Sequence, residues 1–132
     1  MATITEVTAY LVAESVATAV GTDLFEDALP EDTPDTAMAV IMTQGIASEK
    51  EFGSVGIGRE FPSIQFLSRA ASYDTARANC ELAHVALGKV DAESLSSTFY
   101  EYARPSSPFL LKVDDSGRAV YALNSTLAKD PS

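Results

Sequence analysis

Cys80 and His84 stand four residues apart, a spacing that puts two side chains on adjacent turns of one helix face. A thiol and an imidazole so placed could act as a nucleophile and its base. They are the chain's one cysteine and one histidine, and nothing elsewhere resembles an oxyanion loop, so Cys80 reads as a small core residue and His84 as its flank. Gly53, Gly56 and Gly58 evoke a phosphate-binding loop, but their order differs and no lysine with a following Ser or Thr accompanies them. Pro62 and a strand follow where such a loop should open a helix. Asp23, Glu26, Asp27, Glu31, Asp32 and Asp35 could offer oxygens to a hard cation, yet they match no calcium-loop spacing and read as a solvated acidic surface. No catalytic, cofactor-binding or metal-ligating set emerges, and the chain is read as a non-enzyme without a cofactor. Aromatic residues offer a different chemistry. Tyr100 and Tyr102 fall on one face of a strand whose other face carries Phe99, so one set can fill the core and the other can meet a partner.

The chain has 132 residues, which suits a single domain with one core. Its 19 acidic against nine basic residues give a net charge of −10, which opposes non-specific binding to nucleic acid or anionic lipid. A single cysteine excludes an intramolecular disulfide and a thiolate zinc cage, and fits a reducing compartment. No apolar run reaches the ~20 residues of a membrane span. Met1 to Val20 lacks the basic start of a secretory signal and carries Glu6 and Glu14, so it is expected to belong to the folded domain.

The elements that position these residues are read from periodicity. Thr3-Ile4-Thr5-Glu6 has the form of a capping box, and Ile4, Val7, Leu11, Val12, Val16 and Val20 form a drifting helical stripe that Gly21 would end. Residues 22–36 form an acidic link broken by Pro30 and Pro34, with Phe25 and Leu29 tucked in. Ala37 to Thr43 is an apolar run of strand length, the candidate central strand. Residues 45–62 form a long loop, read as functional or disordered, that holds Phe52 and ends near Phe61. Around Ser63 to Ala70, Ile64 and Phe66 share one face of a strand while Gln65, Leu67 and Arg69 share the other. A second helix then opens on Ser72 as N-cap and runs to Gly88 with Tyr73, Ala76, Cys80, Ala83 and Leu87 inward. A strand at 98–103 precedes a hairpin in which Phe109–Val113 and Arg118–Leu123 flank Asp114-Asp115-Ser116-Gly117. Residues 128–132 are expected to fray. The resulting expectation is one α+β domain over residues 1–132: a mixed, mainly antiparallel sheet of about five strands with two helices on one face.

Three stretches carry a family resemblance. Ser63 to Ala70 followed by Ser72-Tyr73-Asp74-Thr75-Ala76 resembles the strand, Arg, small, Ser-Tyr, Ala signature of tailed-phage (siphovirus-type) minor capsid and tail-terminator, or tail-completion, proteins. The closing hairpin, from Arg104-Pro105 through Asp115-Ser116-Gly117-Arg118 to Leu123-Asn124, is similar to the same family's ending. Leu24-Phe25, Leu29-Pro30 and Pro34-Asp35 match its linker, so the resemblance covers most of residues 4–128. The departures are Ser68, where an apolar residue is common, and Ser125-Thr126, where an aromatic and an acid are common.

The resemblance implies a virion protein of the tail or neck, made in the host cytoplasm, that forms a homo-oligomeric ring, commonly a hexamer, on the head-proximal end of the tail tube. Such a ring ends tube polymerisation and provides the joint to head-completion (neck) proteins, and DNA passes through it without specific binding. Phe52, Phe61, Tyr100 and Tyr102 are the expected contact residues, and part of the net charge of −10, facing the bore, would form a repulsive wall. The alternatives are another head-tail connector component, such as a head-closure or tube protein, or a small-molecule-binding α+β domain, for which no convergent polar set is seen.

Overall fold

The computed structural model describes residues 3–32, 34–46 and 59–130. The expected Phe52 contact, the glycines of the 53–58 stretch and most of the expected long loop lie outside the described residues. The chain runs α1 (Thr3–Ala13), β1 (Leu24–Glu26), β2 (Ala37–Ile46), β3 (Phe61–Ala70), α2 (Tyr73–Gly88), β4 (Asp91–Leu95), β5 (Thr98–Pro105), β6 (Phe109–Val113) and β7 (Ala119–Lys129). The strands form one sheet in the order β1-β2-β3-β7-β5-β4, with β6 also paired to β7. All pairings are antiparallel except β1 with β2.

The α+β expectation holds, and both helices pack on one sheet face as expected. Ile4, Val7 and Leu11 of α1 share a core with Cys80, Ala83 and Leu87 of α2 and with Met38, Val40, Ile64, Phe66, Leu123 and Leu127 of the sheet. Period two then sends the alternate residues to the opposite face, where Ala39, Leu67, Val120 and Ala122 are covered by Phe25 and Leu29 of the acidic link. Helix α2 begins as its sequence dictates, with the Ser72 hydroxyl accepting from Thr75 N–H. In the hairpin between β6 and β7, Gly117 adopts φ +78°, a conformation that favours glycine.

Several expectations are corrected. Among the described residues seven strands form rather than about five, because β1 and β4 carry weak strand signals. The segment Asp91-Ala92-Glu93 is polar, and a two-residue turn with positive φ at Ser96 and Ser97 closes β4 on β5. Helix α1 stops at Ala13, with Ser15 at φ 62°, and does not continue to Val20. Strand β2 is next to the edge, and β3 and β7 are the central pair. Ala128 and Lys129 do not fray: both are buried at the end of β7, where Lys129 exchanges main-chain bonds with Glu60.

Ser68 is fully buried, and its hydroxyl has no partner among the described residues. An unpaired buried hydroxyl costs ~1–3 kcal/mol. Ser68→Ala is therefore expected to stabilise the chain by about 1 kcal/mol, seen as a melting temperature raised by about 3–5 °C.

Candidate assembly surface

The capping-box carboxylate does not cap. Glu6 is buried and points into the sheet, where the Thr98 hydroxyl donates to its Oε2 and the Tyr100 hydroxyl donates to its Oε1 at 2.8 Å. Burial and this carboxylate push the Tyr100 phenol well above its ordinary pKa. Tyr100 therefore ties α1 to β5 and has no surface to offer a partner.

Sequence alternation put Tyr100 and Tyr102 on one face, but a bulge in β5 separates them. Tyr100 pairs with Lys129 and Tyr102 with Ala128, so the partner strand advances one residue while β5 advances two. The inward position after Tyr100 becomes Ala103. Tyr102 is half-buried, with the Arg104 guanidinium 4.1 Å from its ring centre. Phe61, also half-buried, opens β3 opposite Ile46, apart from the Tyr102 strand.

The Cys80 and His84 pair is not brought together for chemistry. Cys80 is fully buried, and desolvation followed by the Glu81 charge pushes its thiol up to about 12, so it carries no thiolate at neutral pH. The His84 ring Nδ1 sits 3.0 Å from the Ser106 carbonyl and joins α2 to the connection between β5 and β6. Among the described residues no group of three or more His, Cys, Asp or Glu is placed to hold a metal.

The acidic link is organised instead by two buried arginines on the sheet face away from the helices. Arg69 donates to the carbonyls of Pro30, Pro34 and Asp35. Arg118 donates to the carbonyls of Glu31 at 2.6 Å and Asp32 at 2.7 Å, and pairs with Asp114 at 2.8 Å and Asp35 at 3.3 Å. Burial and the Arg118 charge beside it lower the pKa of Arg69. A cavity of about 460 Å³ lies between link and hairpin, but its two arginines spend these donors on the link, so they hold the fold and leave little for a bound anion.

The surface that sequence reading missed is β6. All five of its residues are exposed, including Phe109, Leu110, Leu111 and Val113 at between 38% and 45%. It pairs with β7 on one side and with no strand among the described residues on the other. Sheets commonly guard such an edge with charge, as Asp91 and Glu93 do on β4. On β6 the one charged residue is Lys112. Lys112 and Arg104 make no ion pair among the described residues, whereas Arg59, Arg77, Lys89, Arg118 and Lys129 do. The signal was present in the run Phe-Leu-Leu-Lys-Val, which is apolar on both faces although it lies at an edge.

Fold and surface thus define a small α+β domain whose interior is filled and whose apolar strand edge is open. A solved chain described as "Virion of native gene transfer agent (GTA) particle" has a similar fold: the TM-score is 0.64 at 16% identity, over 98% of this chain and 96% of that one. Residues 11–131 match the model of the bacteriophage tail terminator protein family, and the chain belongs to that family. It is accordingly a structural protein of phage tails. No curated protein sequence matches it.

Proposed function

We propose that this chain forms a ring of six copies on the head-proximal end of the tail tube, where it ends tube polymerisation and supplies the joint to the neck. Membership of the tail terminator family over residues 11–131 is the observation that carries this reading, and the open β6 edge supports it. A tube end presents a repeating interface, and a ring that matches it on one face alone blocks further addition. Contacts repeated around the ring add, so a modest interface per copy gives a stable cap. Its partners are copies of itself, the tail tube protein and a head-completion protein, and its place is the tail or neck of the virion after synthesis in the host cytoplasm. The net charge of −10 suits passage of DNA without sticking, because a wall of like charge repels the phosphates.

Polymerising purified tube protein with and without the chain tests this. The chain is expected to bind tube ends and arrest their growth. Tubes that lengthen unchanged in its presence, or long tubes formed by the chain alone, would contradict the reading and favour another neck or tube component.

A further inference from the structure

We infer that the open edge of β6 seats on the β1 flank of a second copy of this chain, head to tail, an inference that rests on the ring reading above. The register of the sheet supplies the first argument. Val20 bridges Leu24, Leu24 pairs with Met38, Met38 with Ser68, Ser68 with Tyr121 and Tyr121 with Leu110, so the β1 flank and β6 end the same cross-strand row at Val20 and Leu110. Phe25 and Phe109 end the next row through Ala39, Leu67 and Ala122. The two edges are therefore level across the sheet. A contact between level, opposite edges repeats without a step along the strand direction, which is compatible with a closed ring.

Strand direction agrees. β1 runs with β2, and each of β3, β7 and β6 reverses its neighbour, so β6 meets the β1 of the next copy antiparallel. Charge agrees as well. On the β6 side Lys112 is level with Asp23 through Val120, Arg69 and Ala37, Arg104 stands on the neighbouring β5, and Asp114 after β6 is already paired with Arg118, whereas the β1 side carries Asp23 and an exposed Asp27 directly before and after the strand. Against burial, the backbone N–H groups of Ala19 and Thr18 hold the Asp23 carboxyl below its ordinary value. The competing edge, β4, presents Asp91 and Glu93, which would repel the same carboxylates. Because the Leu24 carbonyl accepts from Gly21 N–H and the Leu24 N–H donates to the Ala19 carbonyl, side chains carry the contact there, with Val20, bridged to Leu24 and 46% exposed, set against the β6 leucines.

Cysteines at Val20 and Leu111, in a Cys80→Ala background, would be joined in purified virions by a short bis-maleimide. The double variant is expected to give a ladder of covalent multimers, and each single variant none. Dimers from Leu111→Cys alone would show two β6 edges facing each other and overturn the inference. So would a double variant that enters virions and stays monomeric on the gel. Should the cysteine pair be kept out of virions, charge reversal decides: Lys112→Glu, which sets a like charge level with Asp23, is expected to cut incorporation ~10-fold, and unchanged incorporation overturns the inference. Tails of normal length without the chain would instead remove the ring reading itself, so the two failures are told apart.

Discussion

Replacing Glu6 by alanine is expected to lower stability by roughly 3–4 kcal/mol, because the hydroxyls of Thr98 and Tyr100 both lose their acceptor in a closed interior and a cavity is left. For a chain of 132 residues that corresponds to a melting temperature about 10–15 °C lower. Tyr100→Phe removes one bond to a charged acceptor and is expected to cost less, about 1.5–3 kcal/mol. Thermal unfolding followed by circular dichroism checks both. A Glu6→Ala protein that melts with the wild type would mean that the carboxylate does not tie α1 to β5.

Arg118→Ala should be the second large effect, at about 3 kcal/mol, and its damage should be local as well as global. The guanidinium is what the carbonyls of Glu31 and Asp32 share with Asp114, so its loss frees the acidic link from the hairpin. Limited proteolysis is expected to nick the link within residues 27–35 well before the rest of the domain. Arg118→Lys should not rescue, since one ammonium cannot reproduce a planar fork holding two carbonyls and a carboxylate. Equal proteolysis of variant and wild type would contradict the clamp.

How much of this was legible in the sequence follows from which residues act locally. The strand around Phe66, the Ser72 cap and the Gly117 turn were readable because each rests on a near neighbour or on simple alternation. The end of α1 was not, because Val16 and Val20 continue the apolar stripe past the residue where the backbone turns. Glu6 was misread for a related reason: a capping box and a buried carboxylate look alike until Thr98 and Tyr100 arrive from ninety residues away. The Tyr100 and Tyr102 pairing failed on one inserted residue, which period two cannot anticipate. The open β6 edge was hidden because a run that is apolar on both faces reads as an interior strand, and only the sheet order shows it to be an edge.

Electron micrographs of particles assembled without this chain are the most direct measurement of what it does. The account predicts tails of uncontrolled length that carry no heads. Virions with joined heads and tails of ordinary length would contradict it.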